Sequence, residues 1–598
     1  MSSPKKNETT VTRRDFLQTA GMASLALGAA AVGMAPKEGE AKQTPFKTKE
    51  PSGKLSAKPY NILLIWTDQE RNLPELRDKG HWPGRDRLTQ MGTTFENHQV
   101  CSMVCTPSRS VIFTGQHIQH TKMFDNTDFP WIDELSYDLP TIGHMMRDAG
   151  YYTTYQGKWH LNHDLHPTVN PEEGVQLIGR DLMDKYGFSD FTGIGDDIGM
   201  TQGGYQYDQY VTATAQTWLR KKGKSLSTEG TPWLLSIGLV NPHDIMYYDT
   251  DNPNEDVQHS TPLLGKISPA PDDKIYKKEW AVPLSPSRKQ AWDEKGRPRA
   301  HYEYQMCQEY LSGHFPNDDR RWKKMQDYYL NCVTDNDRSV DTLLTELDNL
   351  GMLDDTIVIL TSDHGELCGA HGMFGKGSTA YQEQNHVPFI IYHPDIPGGR
   401  KCEALTSHLD LIPTILGMTG AEKKQKKNVK ESLKGNDFSP LLEAPEKAPL
   451  DAARIGTLYC YNMWAFMDAD WLGKIAKKMM AGEKMTIDTV PRPNVRKRSA
   501  IRSIFDGRYK YSRYFNSQDH NQPKTVAEIY EANDVELYDL KMDPNEMKNL
   551  AYNSQKSDLL ISMNNKLNTL IKREVGVDDG SFLPDIKNVN WAFERFDP

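Results

Sequence analysis

The residues best suited to chemistry stand together in Cys101-Ser-Met-Val-Cys105-Thr106-Pro107-Ser108-Arg109, which runs on into the apolar Val111-Ile112-Phe113 and then Gly115. The proline two residues after Cys105 fixes φ and cannot extend a preceding helix, so Cys105 falls in the turn that opens one. A helix start offers N–H groups and a positive dipole end to an anion, and Arg109, one turn on, shares the face of Cys105. Such a site stabilises a thiolate. Taken alone, the stretch is also compatible with a buried structural cysteine. A Cys101–Cys105 disulfide would close the site to chemistry.

Other polar groups occur where apolar runs end. Asp68-Gln69 follow the run at 60–67, Lys158-Trp-His160 follow 151–155, and Pro242-His243 follow 233–240. Asp363-His364 follow 356–361, and Lys376 lies in Phe374-Gly375-Lys376-Gly377. Asp68 and Asp363 are hard oxygen donors for a divalent metal, while His364 and Gln69 add a nitrogen and an amide oxygen. A lysine beside a histidine can hold an oxyanion and shuttle its proton. Each of these has a plain structural alternative, a helix-capping aspartate or an exposed loop histidine, so their weight is joint.

The runs at 60–67, 233–240 and 356–361 are continuous and apolar. That pattern predicts strands buried on both faces of a parallel sheet, and in such folds ligand groups gather at the strands' carboxyl ends. Shorter strands are expected at 151–155 and 387–392. Helices are expected from Pro140, over 322–350, and over 407–416 with Pro413 inside or at a kink. Residues 245–320 read as a long loop insertion. After about 455 come Trp464, Trp471, a basic run from Arg492 to Arg502, strand-like stretches at 507–511 and 536–540, and a helix from about 556 to 573. The expected architecture is α/β: a large, mixed, mostly parallel sheet flanked by helices, with a smaller C-terminal α/β subdomain. The boundaries read as 58–455 for a catalytic domain and 456–598 for the subdomain.

In order and spacing these stretches resemble the type I, formylglycine-dependent sulfatases of the alkaline phosphatase superfamily, in an arylsulfatase- or choline-sulfatase-like form. The resemblance runs from about Pro59 to the 539–550 region. It is carried by the strand ending in Asp68, by Cys105 to Gly115, Gly157 to Leu161, Pro242-His243, Ser362 to Glu366, Asp410-Leu-Ile-Pro-Thr414 and Glu536 to Leu540. It implies that Cys105 is oxidised to formylglycine and that one divalent metal, Ca2+ by resemblance, sits on Asp68, Gln69, Asp363, His364 and residue 105. Family members often have a second Asp and an Asn where this chain has Gln69 and His364, and the histidine would suit Mn2+.

The resemblance also implies roles. A hydroxyl of the hydrated aldehyde attacks sulfur, Arg109 and Lys158 orient the diol, and Lys376 binds sulfate oxygens. His243 protonates the departing alcohol, and His160 removes the proton that releases sulfate. The same scaffold and formylglycine also serve phosphonate monoester and phosphodiester hydrolases, so that reading stays open. A non-catalytic exported binding protein is the third.

The chain has 598 residues, a formal net charge of −10 and seven scattered cysteines. That length predicts more than one domain. The charge argues against nucleic acid as a partner, and the cysteines imply neither a zinc site nor a disulfide framework. Thr12-Arg13-Arg14-Asp15-Phe16-Leu17 ahead of an Ala- and Gly-rich apolar run reads as a twin-arginine signal at 1–35, with a linker at 36–57. The expected location is periplasmic or exported, and the expected partners are the Tat machinery, a formylglycine-generating enzyme and a sulfated small molecule or glycan. Arg492, Arg496, Lys497 and Arg498 could contact a polyanion, and Trp131, Trp464 and Trp471 could stack on a sugar. Oligomeric state is not readable from the sequence.

Overall fold

The computed structural model describes residues 50–165, 169–170, 174–175, 180–193, 201–258, 267–420 and 433–592. The expected signal at 1–35 and most of the linker at 36–57 lie outside them. The described residues fall in one compact unit. No helix among the described residues is long and apolar enough to cross a membrane.

The main sheet comprises β1 (Asn61–Asp68), β2 (Thr93–Gln99), β3 (Tyr152–Gly157), β4 (Asp190–Thr192), β5 (Trp233–Pro242), β6 (Thr356–Ser362), β7 (Phe389–Tyr392) and β8 (Arg400–Ser407). Their order across the sheet is β8-β2-β7-β6-β1-β5-β3-β4. Every pairing is parallel except those of β7, which runs against both β6 and β2. The mixed, mostly parallel sheet is as expected.

β1 shows why the central strands read as unbroken apolar runs. Ile62, Leu64 and Trp66 enter one core, while Leu63 and Ile65 enter another on the opposite face. Side chains alternate along a strand, so both faces must be apolar when both are covered. Each such burial is worth about 1.5–3 kcal/mol. One face is closed by two helices: Gly203–Trp218, through Val211 and Ala215, and Asp319–Asn349, through Val340, Leu343, Leu344 and Leu347. On the other lie helices Cys105–Thr114 and Ile142–Asp148 and an antiparallel sheet of Thr457–Tyr461, Arg498–Phe505, Tyr509–Asn516 and Asp534–Asp539. Helix Ser557–Leu570 packs on that second sheet through Leu560, Met563 and Leu567.

Several local expectations are corrected. The segment 245–320 is not all loop: Arg299–Ser312 is a helix, with Tyr304 and Cys307 buried. The helix expected from Pro140 begins after Thr141, whose hydroxyl caps it by accepting from Gly143 N at 3.1 Å. Part of the basic run is strand Arg498–Phe505, where Arg502 is buried against Asp578 and Arg498 pairs with Asp534. Lys497 is held by Glu303 and Asp468, leaving Arg492 and Arg496 as exposed cations of the run. Trp131, Trp464 and Trp471 pack with Trp591 in the core, so they are not an exposed sugar platform.

Candidate active site

Four adjacent parallel strands, β6, β1, β5 and β3, deliver polar residues at their carboxyl ends. β1 ends at Asp68, and Asp363, His243 and Lys158 each follow the last residue of their strand. Helix Cys105–Thr114 starts opposite them, with Cys105 as its first residue and Arg109 one turn on. Ser108 Oγ in its first turn donates to the Asp363 carbonyl at 2.5 Å, and Thr106 Oγ1 donates to the His160 carbonyl at 2.8 Å. Those two bonds tie the helix start to the ends of β6 and β3.

The turn after β3 depends on glycine. Gly157 has φ +90, and a Cβ there would lie 2.0 Å from the carbonyl oxygen of Gly238 on β5. Only a residue without a side chain fits that close approach in the left-handed region. Lys158 and His160 are aimed inward by this turn.

The side chains converge. Cys105 Sγ lies 3.4 Å from His364 Nε2, 3.6 Å from Asp68 Oδ1 and 2.8 Å from Lys376 Nζ. Lys158 Nζ is 2.9 Å from Asp68 Oδ2. Arg109 braces both carboxylates, with Nε 2.9 Å from Asp363 Oδ2 and Nη2 3.4 Å from Asp68 Oδ2, and donates to the Lys158 carbonyl at 2.8 Å. His160 and His243 also act on this group: His160 is among the groups that hold the Cys105 thiol down, and Cys105 in turn favours the protonated form of His243. All the sequence-predicted catalytic residues, Cys105, Arg109, Lys158, His160, His243 and Lys376, are therefore in one constellation with Asp68, Asp363 and His364.

Its electrostatics follow from burial and unequal neighbours. Burial works against ionisation of Cys105, but Lys376, Lys158 and His364 hold the thiol well below its usual range. Burial and Cys105 oppose the charge on Asp68, yet Lys158 and Lys376 hold it well below the carboxylate range. Burial and the facing Asp68 push Asp363 up, against His364 and Arg109. Burial, then Lys376 and Lys158, bring His243 down to about 4.

The donors suit a divalent cation. Asp68, Cys105, Asp363 and His364 each offer a ligand atom, all within 4.8 Å of one another and all buried. His364 Nδ1 lies 3.1 Å from the Gly365 carbonyl, so that nitrogen carries the hydrogen and Nε2 turns its lone pair to the cluster. Gln69 Oε1 is buried without a hydrogen-bond partner, as a metal-facing amide oxygen would be. Two carboxylates, an amide oxygen and an imidazole form a hard, mixed donor set.

Asp128, which sequence reasoning passed over, lies in this site: its Oδ2 is 2.9 Å from His160 Nε2. It sits in an irregular stretch with no motif around it, so only the fold reveals it. All seven cysteines are free thiols, so Cys105 is not tied to Cys101.

The family model described as Sulfatase matches residues 61–421. Among curated proteins, the chain is 25% identical over 401 residues to an "Ulvan-active sulfatase" of Formosa agariphila, a match covering 64% of this chain and 65% of that one. The chain thus spans just under two thirds of that relative's length. Among solved structures, a "2-O GAG sulfatase" superposes with a TM-score of 0.60 at 20% identity, covering 87% of this chain and 93% of that one. The phosphonate monoester hydrolase of Silicibacter pomeroyi does so with a TM-score of 0.58 at 20% identity, covering 87% and 96%. At that identity the two structures speak to the fold, which is the alkaline phosphatase-like one expected.

Proposed function

The chain belongs to the sulfatase family, a family of sulfuric ester hydrolases, and we propose that it cleaves a sulfate monoester to alcohol and inorganic sulfate through a formylglycine formed from Cys105 and one divalent metal ion. The observation that carries this reading is the position of Cys105, first residue of its helix and facing two carboxylates, an imidazole and two lysines in a buried cluster.

A metal on Asp68, Gln69, Asp363 and His364 would supply Lewis-acid polarisation and offset anionic charge. Formylglycine, when hydrated, would supply a hydroxyl nucleophile and a second hydroxyl at position 105. Ca2+ is what the resemblance implies, while the His364 nitrogen suits Mn2+. The chain's own residues do the rest. Lys376 and Lys158 hold the sulfate oxygens, and Arg109 keeps both carboxylates in place. His160, steadied by Asp128, takes a proton from position 105. His243 gives one to the leaving oxygen. At a pKa of about 4, His243 is neutral in the free protein at neutral pH. A sulfate seated between the two lysines offsets the charges that depress it and restores its capacity to donate.

Ulvan and GAG, named for two of the similar proteins, put sulfated glycans beside aryl sulfates in the first assay. The Asp363-His364 pair and the phosphonate hydrolase neighbour make a phosphonate or phosphodiester the second reading. The test has two parts, on protein from its native host. The peptide ending at Arg109 should carry the mass of an aldehyde at position 105, and hydrolysis of an aryl sulfate should outpace that of the matching phosphodiester. An unmodified thiol sinks the mechanism, and a faster phosphodiester reaction replaces the substrate. Export through the twin-arginine machinery after maturation belongs to the same reading. It requires Arg13 and Arg14, so replacing both with lysine should hold the protein in the cytoplasm.

A further inference from the structure

Behind the cluster sits Glu366, a carboxylate with no exposed surface. Both of its oxygens accept hydrogen bonds, and none of these is from a cation. Oε1 accepts from Cys368 N at 2.8 Å and from Gly375 N at 2.6 Å, while Oε2 accepts from Gln69 Nε2 at 2.5 Å. A buried carboxylate is costly unless hydrogen-bonded, and three donors meet that need. Gln69 is fixed from its other end too: its backbone N–H donates to Asp363 Oδ1 at 3.2 Å, and its carbonyl accepts from Tyr329 Oη at 2.9 Å.

An amide has a donor end and an acceptor end. Once Glu366 takes the Gln69 NH2, the amide oxygen must turn away from Glu366, and Oε1 is the buried atom left without a partner. A carboxylate cannot donate, so the reversed amide would set oxygen against oxygen. The same carboxylate holds Gly375, next to Lys376, the lysine that reaches Cys105.

From these bonds we infer that Glu366 is a positioning residue: it sets the orientation of the Gln69 amide, so that oxygen and not nitrogen faces the metal position, and fixes the Gly375–Lys376 turn from the same carboxylate. The inference rests on the metal site of the proposed function. Glu366→Gln separates the two donor sets. Its single amide oxygen can stay on the Cys368 and Gly375 N–H groups, but its NH2 then faces Gln69. The Gln69 amide reverses and presents hydrogens to the cation.

The experiment titrates Mn2+, and in parallel Ca2+, into the chelator-treated full-length protein by calorimetry, with no substrate present. Glu366→Gln should weaken binding about 10- to 100-fold. Gln69→Leu, which removes the oxygen, should weaken it by a similar factor, and the double variant should be little worse than either. Losses that multiply in the double variant, or Glu366→Gln binding within twofold of wild type, overturn the inference. Should Glu366→Gln fail to fold without metal, Gln69→Leu decides: wild-type affinity in that variant overturns the proposal, and a loss of about 10- to 100-fold supports it. A wild-type protein that binds neither ion removes the metal site and this inference together. Intact binding without sulfate ester hydrolysis sinks only the proposed reaction.

Discussion

The Asp128–His160 pair shows how much of this site is set by side chains that carry no motif. His160 sits at φ +57, a strained position for a non-glycine residue, and its Nε2 is spoken for by Asp128. That leaves the other ring nitrogen, the buried Nδ1, for the proton proposed to leave position 105, and His160 is among the groups that hold the Cys105 thiol down. A carboxylate on one nitrogen fixes the tautomer and stabilises the imidazolium that forms when the other accepts a proton. Asp128→Asn keeps the shape but can offer Nε2 a hydrogen in place of an acceptor. We expect kcat to fall about tenfold or more while KM stays near wild type. The rising limb of the kcat–pH profile should move as well, because a neutral partner lowers the histidine's affinity for a proton. Unchanged kcat and profile would show that Asp128 only fills space. Sequence reasoning found His160 because it follows an apolar strand beside Lys158. Asp128 is 32 positions upstream of its partner, so no local spacing could have marked it.

At the scale of elements, the legible parts are those whose two sides face apolar layers. β1, β5 and β6 are unbroken hydrophobic runs for that reason, and the chemistry at their ends was readable with them. β2, Thr93-Thr-Phe-Glu-Asn-His-Gln99, was not readable. Its polar side chains have specific partners, such as Thr406 Oγ1 2.9 Å from His98 Nδ1 and Glu96 holding Arg77 at 2.8 Å. Strand Arg498–Phe505 was hidden likewise, since its buried arginine is neutralised by a carboxylate some 76 residues away in the chain. Pairing across such distances decides burial, and a single sequence does not display it. The end of β3 supplies an elemental prediction. Gly157→Ala would place a Cβ 2.0 Å from the Gly238 carbonyl at φ +90. The strand ends must part, which costs about 1–3 kcal/mol in backbone strain alone. Because Lys158 and His160 hang from this turn, activity should drop far more than the melting temperature indicates. A variant with lowered Tm but normal kcat would show that the turn does not aim those side chains.

The whole molecule is joined by a second buried polar cluster, away from the metal ligands. Arg454 grips Asp410 through Nε at 2.8 Å and Nη2 at 2.9 Å, and its Nη1 is 3.5 Å from Glu574. Glu574 also meets His117 at 3.3 Å and the Arg573 guanidinium. Asp410 belongs to the stretch that opens helix Leu411–Gly417, His117 follows the Cys105 helix, and Glu574 lies near the C-terminal end of the described chain. Three distant parts of the sequence are thus closed on one another by charges that, Arg573 apart, are fully buried. Such a cluster is costly unless its charges are matched, and His117 adds a third cationic partner for Glu574 beside Arg454 and Arg573. Burial opposes its proton, but Cys460 and Glu574 outweigh it and raise its pKa to about 9, against 6.5 for the ordinary side chain. The sign follows. A histidine whose pKa is higher in the folded state binds its proton more tightly there, so its contribution is complete below pH 6.5 and is lost as pH rises toward 9. A shift of that size is worth about 3 kcal/mol. Stability measured by urea denaturation should therefore decline between pH 6.5 and 9. His117→Gln should be less stable than wild type at pH 6, with the difference narrowing by pH 9. A constant difference across that range would mean that His117 is neutral in the folded protein and that Arg454 and Arg573 balance Glu574 without it. The same titration tests whether the C-terminal segment is clamped to the catalytic half by charge. If it is, the loss of stability above pH 7 should be accompanied by faster proteolysis near residue 574, while cleavage within the central strands stays slow.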